Sequence, residues 1–403
     1  MKENSLNISD KYNSKINSIY LLLPLVLWIL LPILSFNNFF KIITFISCSI
    51  YFLIEFNRNI FNKYSLRVLF LIILIWFIHI INQSENPKQF FHLTFFLIIL
   101  LISNHLLQKN KSNYNLIISI ILLLNLGTIL KTIFNLSENQ NIARALSKSG
   151  EISAELSQSG TGGYGFIYFN IILFPFVILH FRNLYIKKDN KLLILISGIN
   201  IILIIILAWK AQYLIALIII VFTLIIYLFK FLKHHPKIMI FSVVASIIFI
   251  SGSIVSLFED FLESTRYLQK YLGFLSLLEG GESNSSVGYR IVLYFRSLST
   301  FLENPLIGNL RFSYNKIGAH SQILDLLAQF GLFIGSCIIY NILYLPFKIL
   351  KKINKNYKLD IKITIISLTI VLLFNTIPLE IALAFLFIVL VLKNKNPNLN
   401  LIK

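Results

Sequence analysis

Charge is scarce in this 403-residue chain: only 13% of its positions are Asp, Glu, Lys or Arg, about half the share of an ordinary soluble domain. So small a polar complement excludes a soluble enzyme and a disordered, solvated tail. Cysteine is scarcer still. The two present, Cys48 and Cys337, each lie inside an apolar run, where a thiol behaves as a small buried hydrophobe. Neither a disulfide framework nor metal-ligand spacing can be built from them. Acid is the minority charge, with 17 residues against 36 Lys and Arg, which leaves a net charge of +19. What fills the chain is apolar: 57% hydrophobic residues and a mean hydropathy of +0.78. That supply matches about twelve membrane-spanning helices of ~20 residues. The expected fold is an all-α polytopic membrane protein in a single transmembrane domain, 1–403.

Apolar runs long enough to cross occur near 19–35, 39–56, 66–81, 90–107, 115–134, 163–181, 192–208, 211–230, 238–258, 320–345, 361–377 and 378–393. The first has no small-x-small cleavage site after it and reads as a retained span. The stretch from Leu192 to Phe229 is almost continuously apolar. As one helix it would be ~57 Å long, nearly twice the hydrocarbon core. It must therefore turn back, and the only polar interruption is Lys210 with Gln212.

The placement of charge tests that layout. With a cytoplasmic N-terminus, the inner segments hold 24 of the 36 basic residues and five of the 17 acids. The remainder of the chain has 12 of each. The whole excess lies on one side, which is the positive-inside rule, and nucleic acid is not needed to explain it. Both termini are expected in the cytoplasm. Two outer stretches, 135–162 and 259–319, are too long to be simple connections. In the larger one, Phe258, Phe261, Leu262, Leu268, Leu272, Leu275 and Leu278 repeat at near-helical spacing among charges, as in an amphipathic helix on a membrane surface. A second helix follows over Gly288–Glu303, stopped by Asn304-Pro305.

The most informative stretch reads Gly288-Tyr-Arg290, then Asn304-Pro305-Leu-Ile-Gly308, then Gly318-Ala-His320-Ser-Gln-Ile-Leu-Asp325, with Gly331 and Gly335 beyond. This order resembles the O-antigen polymerase and O-antigen ligase family of bacterial membrane glycosyltransferases. In that family a Gly-Arg opens a helix, an Asn-Pro-Leu-x-Gly turn follows, and a His enters a helix that ends in Gly. The match covers about 50 of the 403 residues. Ser321 stands where many members have Asn, and Lys210 where many have Ser-Arg at an outer hairpin. The resemblance implies a bacterial inner-membrane enzyme that joins undecaprenyl-diphosphate-linked oligosaccharide units at the outer face. Its partners would be those lipid-linked glycans, membrane lipids and a possible chain-length regulator, with no nucleic acid and no cofactor.

Such a reaction needs cations for a departing diphosphate, and arginine grips phosphate with a planar fork. It also needs a base for a weak hydroxyl nucleophile, which histidine supplies near neutral pH. His320 is thus the expected catalytic base, Arg290, Lys210 and Arg311 the diphosphate ligands, and Asp325 and Ser321 the acceptor or orienting groups. Each has a plainer reading. A histidine at the start of a span is by default an interfacial cap, an arginine on an amphipathic helix a headgroup contact, and Lys210 beside Trp209 and Tyr213 a snorkelling anchor. Asp325 is harder to dismiss, because intramembrane carboxylates are costly and usually functional. Arg296 faces away from Arg290 and reads as an ion-pair partner. Gly160–Gly165 matches G-x-G-x-x-G literally, but no strand precedes it; a mobile loop wall over the outer cavity is expected there. No metal-ligand spacing appears, so the chemistry is expected to be metal-independent. Glu380 beside Pro378 has no assigned role. A ligase moving glycan onto lipid A–core or protein, and a flippase for the same lipid, stand as alternatives.

Overall fold

The computed structural model describes residues 18–35, 37–56, 63–82, 87–108, 114–139, 142, 151–188, 190–233, 286–309, 317–376 and 378–395. Among these there is helix and no strand. A 3-10 turn, Ser18–Leu22, leads into α1 (Leu23–Leu30) and α2 (Pro32–Ser35). Then come α3 (Asn38–Phe56), α4 (Lys63–Asn82), α5 (Pro87–Gln108), α6 (Asn115–Glu138) and the short α7 (Glu151–Gln158). The second half holds α8 (Tyr164–Ile186), α9 (Lys191–Lys210), α10 (Leu214–Lys233), α11 (Ser286–Glu303), α12 (Gln322–Lys352), α13 (Lys355–Phe374) and α14 (Leu379–Lys395).

Eight of the described helices, α3 to α6, α8 to α10 and α12, are long and apolar enough to cross a membrane. Ser18–Leu30, α13 and α14 stand at three further expected positions but are shorter or carry more charge. The expected span 238–258 and the amphipathic stretch from Phe258 to Leu278 lie outside the described residues. The hairpin expected at Lys210 and Gln212 is present. No glycine marks it, and Gln212 itself takes the left-handed conformation, with φ 52°.

α8 and α14 form the centre of the bundle, flanked by α5, α6, α9 and α13. Every residue of α14 from Ile381 to Leu392 is buried. The outer helices turn large apolar residues outward, among them Phe45 and Leu53 on α3, Phe70 and Phe77 on α4, Leu195 and Ile202 on α9 and Phe229 on α10. Apolar surface inside and out is what a lipid solvent permits. Polar side chains cross-link the interior instead. Asn125 of α6 donates to Asn170 of α8 at 2.7 Å and to Asn200 of α9 at 3.1 Å, with all three fully buried. Such interhelical bonds contribute about 0.6–2 kcal/mol each. Near the opposite end of α3 and α5, His105 meets Glu55 at 3.0 Å, and Ser18 donates to the same carboxylate.

One expectation is corrected. The stretch 320–345 does not cross as a single rod. Gly331, at φ 67° and ψ −175°, breaks α12 into two helices. Beyond it, a Cβ on Gly335 would stand 2.7 Å from the carbonyl oxygen of Leu326, although a straight helix would separate those residues by about 13 Å. The first segment therefore folds back on the second. The Asn304–Gly308 turn seats in the break: Leu332 N donates to Pro305 O and Asn309 N to Ala328 O, both at 2.8 Å. Those bonds satisfy backbone groups that the kink takes out of the helical ladder. Cβ atoms at Gly308 or Gly331 would strike the other segment's backbone, so the two glycines make the docking possible.

Candidate functional site

The site gathers at the end of the bundle where α8, α10 and α14 begin and where α9 and α13 finish. α11 lies across it. One face of α11, with Leu293, Ser297 and Thr300, is buried against α12. Arg290 and Tyr294, one turn apart, occupy the flank and are half-buried.

Asp325 builds the turn that precedes α12. Its Oδ1 accepts from the Ser297 hydroxyl at 2.6 Å, and its Oδ2 from the Ser321 amide at 3.1 Å. The amides of Ala319 and His320 also point at this carboxylate. The Ser297 hydroxyl in turn accepts from Gly318 N at 2.8 Å. One acid thus holds several backbone donors in register, and it keeps Ala319 in the left-handed region at φ 55°. A non-glycine residue there costs roughly 1–2 kcal/mol, which the surrounding bonds offset. Ser321 is the N-cap of α12, its hydroxyl accepting from Leu324 N at 3.4 Å. Both residues expected near the acceptor therefore carry the local architecture.

The product of that architecture is the placement of His320. Its Nδ1 lies 2.7 Å from the Ala319 carbonyl. A carbonyl only accepts, so Nδ1 carries the hydrogen and Nε2 of the neutral ring keeps its lone pair. Partial burial, and then the nearby Arg290 guanidinium, hold the ring below its ordinary pKa, while the carbonyl bond works the other way. The outcome is a ring that stays neutral at neutral pH, with Nε2 able to take a proton.

Arg290 is close enough to act electrostatically on His320, Tyr164, Tyr168 and Tyr294. Among the described residues no carboxylate forms an ion pair with it. Its surroundings are phenols. Tyr164 and Tyr168 of α8 have ring centroids 4.7 Å apart, and Tyr213 packs on both at 5.5 and 6.0 Å. Asn375 donates to the Tyr168 hydroxyl at 3.3 Å, and the Tyr294 hydroxyl donates to the Phe374 carbonyl at 3.1 Å.

Arg290, His320, Asp325 and Ser321 thus belong to one neighbourhood. Lys210 is exposed on the α9–α10 hairpin, and it is Tyr213, three residues on, that the hairpin brings inward. Arg311 lies outside the described residues. Arg296 is exposed on a different side of α11 from Arg290. The tyrosines and Asn375 were not anticipated. In the sequence they sit in largely apolar stretches, as many of the chain's 18 tyrosines do, and only the folded bundle sets them around one arginine.

The Gly160–Gly165 stretch is bonded to α6. Gly162 N donates to Thr132 at 2.8 Å, and Asn135 donates to Thr161. Its last glycine admits Glu380, whose carboxylate occupies the space that a Cβ on Gly165 would need. Among the described residues no three His, Cys, Asp or Glu side chains gather as metal ligands. Comparison with known proteins gave no similar family, no similar curated protein and no similar solved structure.

Proposed function

We propose that this protein is a membrane glycosyltransferase that joins lipid-diphosphate-linked oligosaccharide units, a polysaccharide polymerase of the O-antigen or capsule type. The observation that carries the reading is the pairing of Arg290 and His320. A half-buried guanidinium without a described carboxylate partner stands beside a neutral imidazole whose Nε2 is free to accept a proton. A desolvated cation of this kind favours an anionic ligand, and a diphosphate fits its fork.

In the reaction, the acceptor hydroxyl oxygen attacks the anomeric carbon of the donor sugar, and the bond from that carbon to the diphosphate oxygen breaks. The hydroxyl proton passes to Nε2 of His320. The lipid diphosphate leaves with the bonding electron pair, its negative charge held by Arg290 and by tyrosine hydroxyls. The lipid diphosphate is itself the activated leaving group, so neither nucleotide sugar nor ATP enters. Arg311 is a further diphosphate ligand in this scheme, and Lys210, exposed on its hairpin, would have to turn inward to join it. The basic excess at the other end of the helices supports, through the positive-inside rule, the reading of a site at the outer face of the inner membrane with both termini in the cytoplasm. The twelve-span layout belongs to the same reading.

The test uses purified protein in detergent with an undecaprenyl-diphosphate-linked repeat unit. Chain lengthening with release of undecaprenyl diphosphate is expected. Transfer only onto added lipid A–core would make the protein a ligase. Unaltered substrate that crosses vesicle bilayers would make it a flippase.

A further inference from the structure

The outward side of α11 is apolar where a solvated helix would be polar. Phe295 and Leu302 are both about 65% exposed, with Ile291 and Leu298 half-buried along the same edge, and Val292 is exposed beyond Ser299, whose hydroxyl donates to the Arg296 carbonyl of its own helix. This apolar arc has two borders. One is the flank that carries Arg290 and Tyr294; the other is polar and carries the exposed Arg296 and Glu303. The arc does not end with the helix. It continues into exposed Leu306 and Ile307, whose turn is bonded to the break in α12, and then into exposed Leu332 and Phe333. Leu332 and Phe333 begin the outer stripe of a helix apolar enough to span a bilayer. Beside the flank that carries Arg290, Tyr294 donates to Phe374, which is exposed with Leu373 at the end of α13.

We propose that the apolar arc of α11 lies in the bilayer interface, holding the helix at headgroup depth and presenting Arg290 to phosphate carried on a lipid. The occupant is lipid because the arc runs on, past the end of α11, into the exposed apolar stripe of a helix apolar enough to span a bilayer. A helix immersed this way sinks its apolar side about 5–10 Å into the boundary between headgroups and acyl chains. Arg296, on the far border, then reaches up to headgroup phosphates on its apolar stem. The depth of α11 follows from the apolar surface alone; the role of Arg290 toward a lipid-borne phosphate rests on the glycosyltransferase reading.

The test exploits two adjacent residues. In a full-length chain with Cys48→Ala and Cys337→Ala, single substitutions Phe295→Cys, Leu302→Cys and Arg296→Cys carry an environment-sensitive fluorophore. The labelled proteins are reconstituted in phosphatidylcholine–phosphatidylglycerol vesicles. Shallow spin-labelled lipid should quench the probes at 295 and 302 about twofold or more over the probe at 296, and aqueous iodide should show the reverse order. Iodide reaching 295 and 302 as readily as 296 overturns the proposal, and so does shielding of 295 and 302 from both quenchers. If the substituted chains do not fold, the unmodified protein in vesicles holding a photoactivatable phospholipid gives the same decision. Adducts on Phe295 or Leu302 are expected, and their absence from α11 overturns the proposal. A chain that passes yet lengthens no glycan removes the enzymatic reading and leaves the immersion intact; the opposite result separates the two the other way.

Discussion

The carboxylate of Asp325 meets the hydroxyl of Ser297 at 2.6 Å, and this contact ties the turn bearing His320 to the helix bearing Arg290. Base and cation come from segments thirty residues apart, so their relative position depends on such a tie. Ser297→Ala removes the bond to Asp325 and strands the Gly318 amide that also uses the hydroxyl. A lost hydrogen bond to a charged group destabilises by about 1.5–3 kcal/mol. Thermal unfolding in detergent should show that loss, with Asp325→Ala larger because several amides lose their acceptor together. Glycan lengthening should fall in both variants. A Ser297→Ala protein as stable and active as the parent would show that the tie is dispensable.

The ionisation of His320 offers a second test. Burial and Arg290 both favour the neutral ring and outweigh the carbonyl bond, so its pKa lies below the ordinary histidine value. A base works in its unprotonated form. The acid limb of the pH–rate profile should therefore fall below the range where a solvated histidine titrates, with activity retained at neutral pH. Arg290→Gln removes a like charge and should raise the His320 pKa, because the imidazolium is then less opposed. Titration of the labelled ring by NMR reads that shift directly, whatever remains of activity. No upward movement would mean that the two groups do not sense each other.

The helical class of the fold was legible because apolar runs near 20 residues leave the chain few other options in lipid. The hairpin at Lys210 was legible for a related reason: Leu192 to Phe229 is too long to cross once. The break at Gly331 was legible only through the family resemblance, in which the helix after the His ends in Gly, since a glycine inside an apolar run otherwise looks the same in a straight helix and in a kinked one. What distinguishes it is a distant partner, the Asn304–Gly308 turn that bonds to the exposed ladder. At the site, Arg290 and His320 stood out as charged or titratable groups in an otherwise apolar chain. The tyrosines around Arg290 carried no such mark. The role of Asp325 was only half visible: a costly acid near His320 could be anticipated, but not that it grips the backbone of the turn.

The kink itself can be probed. Gly331→Ala places a side chain at a positive φ and drives its Cβ into the backbone at Leu306 and Ile307. Strain of about 1–2 kcal/mol from the left-handed backbone adds to overpacking of about 1–3 kcal/mol. The expected result is poor folding, or a melting temperature several degrees below the parent. The same change at Gly127, where a Cβ meets nothing within 4 Å, should be neutral or slightly stabilising, since alanine favours helix. Equal melting temperatures for the two variants would contradict the kinked geometry of α12.

Glu380 and Gly165 allow a paired test of the bundle centre. The carboxylate lies against the first turn of α8 where any side chain at 165 would collide with it. It also stands in the first turn of its own helix, α14. The N-terminal ends of both helices are places where backbone dipoles favour an acid. Gly165→Ala must push the Glu380 carboxylate aside on its flexible stem, so its cost should lie at the low end of overpacking, about 1 kcal/mol. Glu380→Ala should also destabilise, through the loss of the packing of its side chain against the first turn of α8. The double variant relieves the collision, so its cost should be smaller than the sum of the two single costs, by about 0.5 kcal/mol or more. Chemical unfolding of the four proteins in one detergent measures that coupling. Strict additivity would mean that the carboxylate does not rest on Gly165, and the packing of α14 against the start of α8 would then have to be redrawn.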